Sequence, residues 1–187
     1  NMFEICHSLA RQFGPEQWTL YKGKHLLSFV DNHDVTRVAS LVQWEKLPAV
    51  YALVFGMPGI PCVYYGSEWG EKADKFQGDP ALRPCFEKPE WNGLTDLIAK
   101  LAEIKKNSKA LNYGGFKSLL LTNKQCVFER NCDGERVLVA INIDDNPYTA
   151  YFDAGEASAT ELISGTEHSF EGGSLLEPLS VKFWKIK

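Results

Sequence analysis

Two short apolar runs constrain this chain more than any other feature: Leu26, Leu27, Phe29 and Val30, and then Ile60 to Tyr65. Neither carries the spacing of an amphipathic helix and both are of strand length, so each reads as a buried strand. Between them lie about thirty residues with a helical pattern: Val35, Val38, Ala39 and Val42, then Leu47, Val50, Tyr51, Leu53 and Val54. Antiparallel neighbours close in a tight turn, whereas parallel ones need a long crossover. Strand, helix and strand at this spacing therefore predict a parallel βαβ unit. Pro48 inside the crossover predicts a break, or the first turn of a second helix. Gly56-Met57-Pro58-Gly59 supplies the turn before the second strand.

The flanking sequence divides the chain. Phe3, Ile5, Cys6, Leu9, Ala10 and Phe13 mark one face of a helix over residues 2–13, ended by Gly14-Pro15. From Gly66 to about Asn92 the chain is rich in charge, glycine and proline. A connection of that length is either functional or holds a small element. Leu94, Leu97, Ile98, Leu101 and Ile104 predict an amphipathic helix over 93–106, with Lys100, Glu103, Lys105 and Lys106 turned outward. Beyond Asn112 the period changes. Short apolar or alternating runs follow at 119–122, 126–130, 137–143, 149–152, 160–163 and 179–185. Asn131-Cys132-Asp133-Gly134 reads as a hairpin turn and Gly172-Gly173 as another, so this part predicts an antiparallel β-sandwich. The expected fold is α/β followed by all-β, divided into residues 1–112 and 113–187.

Composition narrows the function classes. With 44% hydrophobic and 12% aromatic residues among 187, the chain is core-forming and long enough for one domain to one and a half. A net charge of −4 argues against a nucleic-acid partner. No apolar run reaches the length of a transmembrane span and no secretory leader heads the sequence, so no membrane partner is expected. The five cysteines (Cys6, Cys62, Cys85, Cys126, Cys132) are odd in number, scattered and without a CxxC pair. They argue against a disulfide framework and a structural zinc site, and free thiols lean towards the cytoplasm.

The candidate chemistry begins where the first strand ends, in Asp31, Asn32, His33 and Asp34. The mouths of parallel strands are where α/β enzymes place their reacting groups. An aspartate there accepts hydrogen bonds from vicinal hydroxyls and a histidine donates one, which suits a sugar ring and equally a metal or a general base. The plain alternative is an Asp or Asn helix cap. Only four histidines exist, His7, His25, His33 and His168; His7 lies on a predicted helix and His25 before the strand, so neither converges with His33 and no metal site is predicted. Arg37 either orients Asp34 or is a surface arginine on a first helical turn. Tyr64 and Tyr65 are core residues or a stacking surface for sugars, and Glu68 reads as a solvated carboxylate. Asp79 and Arg83, four apart, share a face if the segment is helical, as a local ion pair or as ligands. No nucleophile elbow, P-loop or dinucleotide fingerprint is present.

FVDNHDVTR followed by GMPGIPCVYYGSEWG closely resembles the last part of the α-amylase family of glycoside hydrolases. GDPALRP, the helix before LNYGG and a terminal β-sandwich follow in the family's order, so the resemblance covers nearly the whole chain. It implies a partial (β/α)8 TIM barrel, strands seven and eight with their helices, plus a C-terminal antiparallel β-sandwich. It also implies that Asp34 is the carboxylate that stabilises the transition state. The substrate-binding set would be His33, Asn32, Arg37, Tyr65, Asp79 and Arg83. Asp79 and Arg83 match positions lining the neighbouring sugar subsite in cyclomaltodextrinase- and neopullulanase-like members.

The family is retaining, with one carboxylate as nucleophile and another as acid and then base. The resemblance puts those two in motifs on strands four and five, which this sequence does not contain. The expectation is a piece of an enzyme that cleaves α-1,4-glucosidic bonds in starch, maltooligosaccharides or cyclodextrins. Such a piece would be inactive alone and require no cofactor, with calcium possible in the intact parent. Phe29 and Tyr64 are expected to lack partners, and the exposed barrel edges to favour self-association. Two rivals stand beside this reading. One is a non-catalytic amylase-like protein that binds carbohydrate or partners a transporter. The other makes residues 113–187 a separate sugar-binding module, for which Trp184, the only tryptophan there, is a poor platform.

Overall fold

The computed structural model describes residues 1–187 throughout. The predicted parallel pair forms, but its ladder is short: β1 (Leu27–Ser28) lies beside β2 (Ile60–Pro61) in a two-stranded sheet, and no closed barrel is present. The Ile60 and Cys62 amides donate to the carbonyls of Leu26 and Ser28, each at 2.8 Å. Pro61 between them has no N–H, and neither strand has a second neighbour to prolong the ladder. Gly59 sits at φ +117°, where a Cβ would lie 2.5 Å from the Leu26 carbonyl oxygen, so only glycine lets the turn approach β1.

The crossover holds α2 (Val38–Leu41), a 3-10 turn at Trp44–Lys46, and α3 (Leu47–Gly56), with Pro48 in the first turn of α3 as the sequence predicts. Upstream, α1 (Met2–Phe13) starts on the Asn1 side chain, which accepts the Glu4 amide. The long connection contains 3-10 turns at Ser67–Trp69 and Lys75–Gln77 and the single-turn α4 (Asp79–Leu82). Then come α5 (Gly93–Lys106), capped by Asn92, and α6 (Lys109–Tyr113).

The rest is antiparallel: β3 (Gly115–Leu121), β4 (Gln125–Cys132), β5 (Glu135–Asn142), β6 (Tyr148–Ala150), β7 (Ser158–Glu161), β8 (Glu167–Ser169), β9 (Ser174–Leu176) and β10 (Val181–Ile186). Six strands form one sheet in the order β3-β4-β5-β10-β7-β8, and β6 pairs with β9. The β4–β5 hairpin turns through Asp133 (φ +50°) and Gly134 (φ +80°), the two left-handed positions a tight hairpin demands. β8 and β9, which the sequence does not reveal, are three residues each, too short for a period to register.

The central strands are covered on both faces. Phe128, Val139, Ile141 and Phe183 pack with α1, α3, α5 and α6. Val127, Leu138, Ala140 and Trp184 face the β6–β9 ribbon. This explains why Val137–Ile141 is apolar without alternation. The larger core runs across the change of character at Asn112, joining Leu101 and Ile104 to Val139.

One lysine departs from its expected place. Lys105 is buried, not outward. Its ammonium donates to the carbonyls of Phe55 (3.1 Å), Met57 (3.2 Å) and Leu111 (3.1 Å), at the ends of α3 and α6. Carbonyls at helix C-termini carry partial negative charge and suit a cation. Beside it the buried Arg130 donates to Gly56, Gly114 and Gly115. Burial, together with the Arg130 charge, lowers Lys105 to about 7, and burial lowers Arg130 to about 10.

Candidate functional site

The polar residues after β1 separate into an inner and an outer layer. Asp31 is buried; its Oδ1 accepts from the Ser67 hydroxyl at 2.8 Å and its Oδ2 from the Val38 amide at 2.8 Å. The helix-cap role thus falls to Asp31, which caps α2 from seven residues upstream. Asn32 Oδ1 accepts the Asp34 amide at 2.8 Å. That Asx turn directs His33 and Asp34 outward. His33 Nε2 lies 3.2 Å from Asp34 Oδ2, and one terminal nitrogen of Arg83 lies 3.4 Å from Oδ1. The other holds Asp79 at 2.5 Å, the i, i+4 pairing that the spacing predicts. The Asp34 side chain is still 64% exposed, so a carboxylate bracketed by imidazole and guanidinium stays open to a ligand.

Arg37 is wholly buried, which corrects the picture of a surface arginine. It does not reach Asp34. Its guanidinium donates to the Tyr65 carbonyl (2.7 Å), the Ser67 hydroxyl (2.9 Å) and the Leu82 carbonyl (3.1 Å), and lies 4.2 Å from the centre of the Tyr64 ring. A buried cation persists only when most of its donors find acceptors; here the ring face and the Ser67 link to Asp31 add to the carbonyls, while Nε has no partner. Arg37 therefore sets the relative positions of the chain after β2 and the end of α4.

Tyr64, expected to lack partners, packs under Arg37 and donates to Leu82 at 3.3 Å. Phe29 does lie open, at 46% exposure. Glu68 is half-buried with Oε2 unpartnered, not the solvated carboxylate expected. Tyr65 is partly exposed, its hydroxyl donating to the Pro84 carbonyl at 3.0 Å and its ring edge-on to Phe86. Tyr51 donates to the Ser67 carbonyl at 3.0 Å; burial, and then the Asp31 charge, raise its phenol and keep it a neutral donor. Ser67 is the residue that sequence reasoning missed, since a serine in a turn carries no mark of being a hub. No three His, Cys, Asp or Glu side chains converge to hold a metal ion.

A model of the α-amylase catalytic domain matches residues 12–113, more than half of the chain. The chain belongs to the α-amylase family. Among curated family relatives, it is 30% identical over 153 residues to a cyclomaltodextrin glucanotransferase of Bacillus licheniformis, covering 80% of this chain and 20% of that enzyme. It is 31% identical over 148 residues to an α-amylase of Niallia circulans, covering 78% of this chain and 27% of the relative. The chain thus spans only 20% and 27% of these two relatives' lengths. The solved α-amylase of Anoxybacillus superposes with a TM-score of 0.80 at 20% identity, over 98% of this chain and 45% of that one, which is a likeness of fold.

Proposed function

We propose that the mouth of β1 is part of the sugar-binding centre of a retaining, α-glucan-active glycoside hydrolase, with β1 and β2 the last two strands of its (β/α)8 barrel. The observation that carries this is the open Asp34 carboxylate, held between His33 and Arg83. Asp34 accepts hydrogen bonds from vicinal hydroxyls of the sugar at the cleavage point. Those bonds strengthen as the ring flattens towards the oxocarbenium-like transition state, an effect worth several kcal/mol in such enzymes. His33 donates to the same sugar, and the Asx turn of Asn32 holds both groups outward. Asp79 and Arg83 take the neighbouring sugar, and the exposed part of the Tyr65 ring offers an apolar face.

The chain alone is inactive in this reading. Retention needs two carboxylates about 5–5.5 Å apart across the scissile bond. Asp31 is buried with both oxygens engaged, and Glu68 is half-buried beside the core, so neither serves as nucleophile or acid. The openness of Asp34 favours a catalytic parent over a non-catalytic carbohydrate-binding or transporter-partner protein. Trp184 is buried against the His168 ring, 4.5 Å between centroids, and gives the sandwich no sugar platform.

Incubating the purified chain with maltoheptaose or cyclodextrin tests the reading. Weak binding without release of maltose is expected, and Asp34→Asn should abolish the binding. Sugar release would overturn the claim of inactivity, and undiminished binding by Asp34→Asn would overturn the placement of the site.

A further inference from the structure

Phe76 is the most exposed large apolar side chain in the protein, at 99%. An exposed phenylalanine on a loose loop tip would mean little, but this one is firmly mounted. Its own amide donates to Asp74 Oδ1 at 2.9 Å, and Gln77 Oε1 accepts the Asp74 amide at 2.8 Å, closing a capping box around the 3-10 turn. Thr36, two residues past Asp34, clasps the same turn: its hydroxyl accepts the Lys75 amide at 3.0 Å and donates to Asp74 at 3.4 Å. The Arg37 amide donates to the Ala73 carbonyl at 2.9 Å. On the other side, Arg83 joins Asp79 to Asp34. The segment from Ala73 to Arg83 is therefore fastened to residues 34–37 at both ends, and Phe76 projects between the two fastenings. Gly78, at φ +84°, turns the chain between the ring and Asp79.

A rigid aromatic ring with nothing packed on it, mounted beside hydroxyl-binding carboxylates, suits the apolar C–H face of a pyranose. From Phe76 we infer a stacking platform for a glucosyl unit beyond the one held by Asp79 and Arg83, a contact that makes the site prefer longer glucan chains. This rests on the α-glucan reading above. A short oligosaccharide filling the positions at Asp34 and Asp79 does not reach the ring, whereas a longer one does. Phe76 then sets chain-length preference and leaves the chemistry at Asp34 untouched.

NMR titration of the 187-residue chain with maltose and maltoheptaose separates these roles. Both sugars should shift the signals of His33 and Asp34, and only maltoheptaose should shift the Phe76 ring. Phe76→Ala and Phe76→Leu should weaken maltoheptaose roughly five- to tenfold, leave maltose unchanged and leave the unfolding midpoint unchanged, while Phe76→Trp retains the affinity. Unaltered maltoheptaose affinity in Phe76→Leu, with shifts kept at His33 and Asp34, overturns the platform and leaves the sugar site standing. A lowered unfolding midpoint with unaltered affinity assigns the ring to packing, and also overturns it. No shift at residues 33–37 with either sugar overturns the α-glucan reading itself.

Discussion

In the six-stranded sheet, Phe128, Val139 and Phe183 are fully buried between helices and ribbon. In the parallel pair, Leu27 is 59% exposed, Ile60 54% and Phe29 46%. The same kinds of side chain meet different fates because the sheet has a partner on each face, whereas the pair has no third strand and is covered only on the face of Ser28, Val30 and Val63. The difference teaches where this chain keeps its stability and where it keeps its open chemistry. The sheet and the helices behind it are closed by their own contacts. The strand mouth is held by a few polar links, Arg37 and Asp31 above all, and presents Asp34 to solvent.

The largest expected effect lies in the closed region. Phe128→Ala should destabilise by about 3–5 kcal/mol, since it opens a cavity in the shared core. Asp34→Asn, in the open region, should stay within about 0.5 kcal/mol. Urea unfolding of both variants decides, and equal losses would break the contrast.

Next comes the pH dependence of the buried lysine. The unfolded chain keeps the Lys105 proton up to the ordinary value of 10.5, the folded one only up to about 7. Between those values the unfolded state binds more protons, so stability should rise with pH, by up to about 1.4 kcal/mol per pH unit. Denaturation curves at pH 7 and pH 9 measure the slope, and Lys105→Met should remove it even though its overall stability falls.

A smaller loss, about 1–3 kcal/mol, is expected for Arg37→Lys, because an ammonium cannot span three acceptors set out for a guanidinium fork. Its informative readout is displacement of the Asp34 and Arg83 signals in an NMR spectrum. Unmoved signals would mean that the mouth is positioned without Arg37.

The smallest effect on folding should come from Leu27→Ser with Ile60→Ser, which removes exposed apolar surface beside unpaired strand edges. We expect the unaltered chain to self-associate in sedimentation as concentration rises, and this double variant to shift it towards monomer. A strictly monomeric unaltered chain would show that the open pair is not an association surface.

Much of this architecture is legible in the sequence. The helix at 93–106 appears with those bounds because its apolar spacing and its Asn92 cap are local. The hairpin at Asp133-Gly134 follows from the left-handed backbone it needs, and the Asp79–Arg83 pair from one helical turn. The His33–Asp34 pair was visible as a polar break after an apolar run. The roles of Asp31, Arg37, Ser67 and Lys105 were not. Arg37 finds its partners 28, 30 and 45 residues away, and two of the three carbonyls on Lys105 lie 48 and 50 residues away. Helical period assigned Lys105 to water, and tertiary packing overruled it by setting the ends of α3 and α6 around its ammonium.

By itself, then, the sequence determined elements whose cause is local: period, caps, turns and the i, i+4 pair at the site. Only the tertiary structure decided which charges are buried and which stay open. Burial depends on what arrives from distant chain, and the cost of an unpaired buried charge lets only those with waiting acceptors go inside. Phe76 belongs to the same lesson, for its exposure follows from hydrogen bonds to Thr36, some forty residues before it.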